Sequence, residues 1–407
     1  MRPTGRLHLG HYFGALQNWL KLQEEYECFF FVADWHALTT HYEDTSSIAE
    51  NTLQVATDWL SVGLDPAKST LFIQSSVLEH AELHVLLSMI TPLPWLERVP
   101  TYKEQIENLS DRDLGTYGFL GYPLLQSADI VIYDADLVPV GEDQVPHIEL
   151  TREIVRRFNF LSGWQVSLPE LRNDANYSFV LGLYKFLWSY APQGSPGIDN
   201  FPRPISDDMV RWIARTVPKV AAQIGADNLL AANLGWNKLF QFKPILLEPH
   251  PLLTDTPRLP GTDGRRMAKS YGNAIWLSDP PDEIRTKARN MMTDPQRQRR
   301  TDPGRPEICP VFAYHKLFSL PETIAWSEQG CRSAGIGCVE CKAKMADGLV
   351  RWIEPIQAKR KALEADPQRV WDTLDAGSRK AHAAAGRTMK RVRNAVFQWD
   401  QARKRKA

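Results

Sequence analysis

The chain has 407 residues, 43% of them hydrophobic and 10% aromatic, and its 48 basic and 48 acidic side chains cancel to a formal charge of zero. That length and apolar content supply a large core and predict two or three domains. Zero net charge excludes a chain-wide basic field, so any nucleic-acid surface must be local. No apolar run reaches the roughly 18 residues that cross a bilayer, and the stretch Met1 to Gly5 lacks the apolar centre of a signal peptide. The expectation is a cytoplasmic protein with no membrane partner.

In chain order, the first part alternates β-rich runs with helical periodicity, the pattern of parallel βαβ units. Strands are expected at Cys28 to Val32, Leu71 to Gln74 and Leu137 to Val140, and helices at Tyr12 to Glu25, with Phe13, Leu16 and Leu20 on one stripe, and at Tyr122 to Tyr133. From Phe160 the pattern weakens and Pro and Gly cluster between Pro192 and Pro204, which reads as an inserted subdomain. After Asp279 the text is helical again, and between Arg379 and Lys406 Lys and Arg recur with Asp400 as the only acid. The predicted fold class is α/β: a doubly wound parallel-sheet, Rossmann-like domain with an inserted subdomain and a helical C-terminal domain. The boundaries read are 1–159 for the first part of the Rossmann-like domain, 160–250 for the insert, 251–280 for its return and 281–407 for the helical domain. Open sheets of this kind bind ligands beyond the carboxyl ends of their strands.

Two segments carry chemistry. Thr4-Gly5-Arg6-Leu7-His8-Leu9-Gly10-His11 runs into a helix, whose start offers unpaired N–H groups, while Gly10 admits a phosphate close to the backbone and His8 and His11 can donate to its oxygens. Far downstream, Gly261 to Ser270 is a Gly-rich loop with Arg265, Arg266 and Lys269, suited to clamping a polyphosphate. Taken singly, each is also what a turn with surface histidines or a solvated basic loop would look like.

Together, H-L-G-H and R-M-A-K-S resemble the HIGH and KMSKS signatures of class I aminoacyl-tRNA synthetases. Pro123 to Ile130 followed by Val138-Pro139-Val140-Gly141-Glu142-Asp143-Gln144 is similar to the tryptophanyl enzymes in particular. The resemblance implies that His8, His11 and Lys269 are catalytic, and that ATP meets Arg2, Pro3, Thr4, Gly10, His11, Gly141, Glu142, Asp143, Leu259, Arg266, Met267, Ala268, Lys269 and Ser270. It implies that Asp129 accepts the indole N–H of L-tryptophan, a group that can only donate, with Tyr122, Gln126, Gln144 and His36 about the same substrate. Gln126 stands where many relatives have Met. Lys103 is a further candidate for phosphate, or a solvated lysine. ATP with Mg²⁺ and tRNA(Trp) follow as cofactors and partner, and a homodimer as the family's habit. Relatives have a short strand before the Arg2-Pro3-Thr4 segment that completes sheet and indole pocket, whereas this sequence starts at Met1. A tyrosyl-type synthetase, or an adenylyltransferase sharing the H-x-G-H turn, is the competing reading.

Four of the five cysteines fall between Cys309 and Cys341, with Cys331, Cys338 and Cys341 spaced C-x₆-C-x₂-C. Four soft thiolates suit zinc or an iron–sulfur cluster, and reduced core cysteines are the third reading. Some tryptophanyl enzymes carry a 4Fe-4S cluster on a similar arrangement, which inclines the expectation that way. Cys28 reads as core, and Trp399 in the basic tail as a base-stacking candidate.

Overall fold

The computed structural model describes residues 1–100, 102, 115–190, 201–253 and 259–397. Lys103, Trp399 and the basic stretch after Phe397 lie outside them. Strand β1 (Cys28–Val32) runs parallel to β2 (Ser69–Ile73) in a two-stranded sheet, Cys28 opposite Ser69. Because strand side chains alternate, Cys-Phe-Phe-Phe-Val faces two ways at once. Cys28, Phe30 and Val32 enter one apolar cluster, in which Phe30 stacks on Trp19 at 4.4 Å. Phe29 and Phe31 face a second, in which Phe29 stacks on Tyr133 at 4.6 Å. Burial of Phe30 contributes roughly 2–3 kcal/mol, and its half-buried neighbours less. A strand with a helical layer on each face is what the unbroken apolar run predicts.

The first helix begins earlier than periodicity suggested, whereas the one expected at Tyr122 starts there. α1 (Leu9–His11) passes through a π-helical turn, Tyr12–Leu16, into α2 (Gln17–Leu22), so the helix opens inside the H-L-G-H segment rather than at Tyr12. α3 (Asp34–His41) follows β1, and α4 (Ile48–Val62) makes the crossover to β2, ended by Gly63 at φ +111°, where a side chain would be strained. β2 starts and stops earlier than expected, and Gln74 opens a 3₁₀ turn instead of closing the strand. α5 (Glu79–Ser88) and α6 (Tyr122–Val131) pack on the second cluster, and β3 (Leu137–Val140) leads into α7 (Val145–Ser162).

The insert has a core of its own, drawn wholly from Trp164 to Phe240 and built chiefly on α8 (Tyr177–Trp188) and α9 (Asp207–Ile224). It is closed by an antiparallel pair, β4 (Trp164–Val166) and β5 (Phe240–Phe242), before β6 (His250–Leu253) returns parallel to β3. The helical part comprises α10 (Pro281–Asn290), α11 (Pro310–Phe318), α12 (Pro321–Arg332), α13 (Cys338–Glu364) and α14 (Pro367–Phe397).

α14 is more deeply integrated than a basic helix would suggest. Val370 and Leu374 pack with Ala56, and Ala381, Ala385, Met389 and Val392 enter the cluster of Phe72 and Leu83. At Gly377 the helix lies so close to β2 that a Cβ would stand 1.8 Å from the Leu71 carbonyl oxygen. Some of its cations pair with the first part of the chain: Arg391 with Asp134 at 2.5 Å and Arg393 with Glu82.

Candidate active site

The H-L-G-H segment is held as a short antiparallel bridge, His8 opposite Trp276. Leu9 N–H donates to the Ile275 carbonyl and Leu277 N–H to the Leu7 carbonyl, both at 2.9 Å. The Leu7 N–H is taken by the Asp58 carboxylate at 2.7 Å. The imidazoles of His8 and His11 stack with centroids 3.7 Å apart. Burial, then their mutual repulsion, then Arg266 push His8 down to about 3, and burial with Arg266 pushes His11 down to about 4. Both are therefore neutral near pH 7, so each can offer an N–H rather than a cationic group. His11 Nδ1 accepts the His8 N–H at 3.2 Å, which fixes its own proton on Nε2, the atom left to donate. Gly10 is required because a Cβ there would meet the His8 ring at 2.9 Å, and its backbone N–H reaches Met267 Sδ at 3.3 Å.

Met267 belongs to the R-M-A-K-S loop, so the two segments touch. The loop is pinned by Asn273, a buried side chain that accepts the Ala268 N–H at 2.9 Å and donates to Asp263 at 2.8 Å and to the Arg266 carbonyl at 3.0 Å. Lys269 Nζ donates to the Thr4 carbonyl at 3.2 Å. Between the segments lies a cleft of about 2130 Å³. Pro3, Thr4, Gly10 and His11 form one wall, Gly141, Glu142 and Asp143 a second, and Leu259 with Arg266, Met267, Ala268, Lys269 and Ser270 a third. The structure thus gathers the expected ATP residues, apart from Arg2, which is half-buried beside Tyr122 and does not line this cleft. Gly141 to Asp143 begin a 3₁₀ turn, and a Cβ on Gly141 would lie 2.7 Å from Asp143 Oδ1, so the glycine lets that carboxylate fold back. Gln144 donates to Asp143 at 3.0 Å, which ties it to this turn.

Asp129 sits on α6, buried, and its two oxygens are saturated. Oδ2 receives His36 Nε2 at 2.7 Å and Gln74 Nε2 at 2.9 Å, and Oδ1 receives His80 Nδ1 at 2.6 Å and the same Gln74 amide at 2.8 Å. A carboxylate only accepts, so both imidazoles present an N–H to it, and the other nitrogen of His80, Nε2, hydrogen-bonds the Tyr133 hydroxyl at 2.6 Å. Burial acts to raise the Asp129 pKa, but the hydrogen bonds from His36 and His80 outweigh it and hold the carboxyl well below the usual carboxylate range. Tyr122 is buried against His147 and Phe119, and Gln126 is half-buried one turn before Asp129. Gln74 and His80 were not singled out from the sequence. A glutamine closing an apolar run and a histidine on the next helix carry no spacing that distinguishes them from ordinary core.

The cysteine group spans the starts of two helices and the end of a third. Cys309 precedes α11, Cys331 lies near the end of α12, and Cys338 and Cys341 share the first turn of α13. Burial raises the Cys341 thiol to about 11 and also raises Cys331, each further raised by the neighbouring sulfurs of the group. Buried Arg297 approaches Cys331 Sγ at 3.6 Å, and Gly304 gives that sulfur room, since a Cβ would fall 2.4 Å from it. His315 Nε2 and Ser327 Oγ each stand 3.3 Å from Cys341 Sγ. Among the described residues no three His, Cys, Asp or Glu side chains converge closely enough to hold an ion, so the sulfurs are neighbours rather than a closed cage. Cys28 is buried in β1, as a core residue.

A family model described as tRNA synthetases class I (W and Y) matches residues 1–171 and 219–353, and the break falls within the insert. The chain is 48% identical to the tryptophan–tRNA ligase of Ralstonia nicotianae, covering 97% of this chain and 96% of that one. It is 43% identical to that of Thermotoga maritima, covering 97% of each. Its fold is similar to the tryptophanyl-tRNA synthetase of Campylobacter jejuni complexed with ADP and tryptophan, at 25% identity and a TM-score of 0.71 over 97% of this chain and 98% of that one. With relatives this similar over nearly its whole length, the chain belongs to the tryptophan–tRNA ligases, within the class I synthetases of the tryptophan and tyrosine group.

Proposed function

We propose that this chain joins L-tryptophan to its tRNA at the expense of ATP, with the two signature segments as the adenylate-forming site. The observation that carries this is their meeting across one cleft, Gly10 N–H on Met267 Sδ and Lys269 beside Thr4. The tryptophan carboxylate attacks the α-phosphorus of ATP in line, the bond to the bridging oxygen breaks, and pyrophosphate leaves with the electron pair. Lys269 and Arg266 balance the charge on the leaving phosphates, and His11 Nε2–H donates to an oxygen of the reacting phosphate. Mg²⁺ would be held largely by the phosphates and water, supplying further charge stabilisation. The 2′-hydroxyl of the terminal adenosine of the tRNA then attacks the activated carbonyl, AMP leaves, and the hydroxyl proton passes to solvent.

The indole N–H takes the place of His36 Nε2 on Asp129 Oδ2, while His80 and Gln74 keep the carboxylate ionised and fixed. Tyr122, Gln126 and Gln144 surround the amino and carboxylate groups, with Gln144 leaving Asp143 to do so. Leu78, Val85, Met89, Leu93 and Tyr117 are exposed apolar side chains on and around α5, and this patch suits a second copy of the chain, giving a homodimer in the cytoplasm. The four cysteines are the candidate ligands of a soft metal centre, an iron–sulfur cluster or zinc, which would have to draw their sulfurs together, with Arg297 offsetting its negative charge. Metal analysis of anaerobically purified protein decides between them: iron and acid-labile sulfide near four per chain, lost in Cys331→Ser, supports the cluster, and stoichiometric zinc refutes it. The activity itself is tested by charging a tryptophan-accepting tRNA transcript with labelled tryptophan. Charging that requires ATP is expected, and none with active, metal-replete protein would sink the reading.

A further inference from the structure

Helix α13 holds the active site from behind through two side chains one turn apart. Gln357 donates from Nε2 to the Leu277 carbonyl at 3.2 Å and to the Asp279 carbonyl at 2.6 Å. Arg360, buried at 3% exposure, pairs with Asp58 and with Gln54 on α4. Asp58 is wholly buried, and its other oxygen is the acceptor for the Leu7 N–H. Leu7 in turn accepts from Leu277. These contacts form a closed ring: Arg360, Asp58, Leu7, Leu277, Gln357 and back along α13. It encloses the bridge that carries His8, just ahead of the helix bearing His11, on one side and, on the other, the residues leading away from the Lys269 loop.

A buried ion pair is costly to desolvate and gives little net stability over an apolar pair. What it offers here is direction. Asp58 can accept the Leu7 N–H only where Arg360 holds it, and Arg360 is delivered by the helical domain. Both signature segments are therefore registered against α13, a helix that contributes no residue to the cleft between them.

We infer that Arg360 and Gln357 are positioning residues for adenylate formation, setting the approach of His8 and His11 to Lys269 through Asp58 and the Leu7–Leu277 bridge. This rests on the adenylate-forming reading of the cleft. Misplacing reacting groups by about an ångström costs roughly 10- to 100-fold in rate, so Arg360→Met lowers kcat of tryptophan-dependent pyrophosphate exchange by that factor. The KM for tryptophan, bound at Asp129 away from the ring, stays within about twofold. Arg360→Lys, which keeps the charge without the planar fork, recovers part of the loss. Asp58→Asn in the Arg360→Met background also recovers part, because a neutral amide oxygen still accepts the Leu7 N–H. Hydrogen exchange of the peptide spanning Leu7 to His11 accelerates in Arg360→Met without any substrate. Should Arg360→Met not fold, Gln357→Leu breaks the ring at its half-buried member and is read the same way. A folded variant with unchanged kcat and unchanged exchange protection overturns the inference. Wild-type protein that activates no amino acid overturns the functional reading instead, and the exchange measurement still decides whether the ring positions the segment.

Discussion

The saturated state of Asp129 makes a quantitative prediction about a substrate that lacks one hydrogen. In β-(3-benzothienyl)alanine a sulfur replaces the indole N–H with nearly unchanged shape. If the N–H displaces His36 Nε2 from Oδ2, now at 2.7 Å, tryptophan exchanges one charge-assisted hydrogen bond for another. The analogue removes His36 and returns nothing, leaving Oδ2 with the Gln74 amide alone. One such bond is worth about 1.5–3 kcal/mol, so wild-type kcat/KM in pyrophosphate exchange falls by roughly 10- to 150-fold for the analogue. In Asp129→Ala the discrimination collapses toward unity and both substrates react poorly. That variant also orphans three buried donors and is expected to lose at least about 3 kcal/mol of stability, so it is compared only where it remains folded. A wild-type enzyme using the analogue as well as tryptophan would refute Asp129 as the acceptor of the indole and leave it a purely structural knot of His36, Gln74 and His80.

Three further expectations follow from particular contacts. Gly10→Ala forces the His8 ring off its stack with His11 and lowers the exchange rate by about tenfold or more, with the melting temperature little changed, as differential scanning fluorimetry would show. Gly377→Ala drives a methyl into the Leu71 carbonyl and destabilises the whole fold by about 3 kcal/mol or more, measured by chemical denaturation. His8, His11, His147 and His315 are pushed down to between about 3 and 4, chiefly by burial, so the unfolded chain takes up protons first. Their stability contribution is complete above the ordinary value near 6.5 and is lost as pH falls toward 4, by up to about 1.4 kcal/mol per pH unit for each imidazole. Asp58, raised to about 6 by burial, acts oppositely as pH falls through 6. A melting temperature that fails to drop between pH 6.5 and 4 would count against neutral, buried imidazoles.

What could be read from the sequence was what local chemistry dictates. Cys28 to Val32 is apolar on both faces, so its burial between two layers follows from alternation alone, and Leu137 to Val140 forms the strand expected of it. The H-L-G-H and R-M-A-K-S segments are legible because their chemistry is concentrated in a few contiguous residues. Long-range partners are not. Nothing near Asp58 announces Arg360, 302 residues away, and nothing near Asp129 announces Gln74 and His80. Asn273 looks like one more turn residue, yet it pins the loop that carries Lys269. The C-terminal helix was read by its charges, which face outward and recur conspicuously. Its packing is set by small residues such as Gly377 and Ala381, which say little in sequence and allow the closest approach in space. The helix start at Leu9 was missed because backbone pairing with Ile275 and Leu277, not periodicity, decides where that strand ends.

The most direct measurement is amino-acid-dependent exchange of labelled pyrophosphate into ATP by the wild-type chain, with tryptophan and tyrosine compared at equal concentration. Exchange that depends on tryptophan, with tyrosine near background, is the predicted result, and exchange driven by tyrosine instead would contradict the specificity assigned to Asp129 and the cleft beside it.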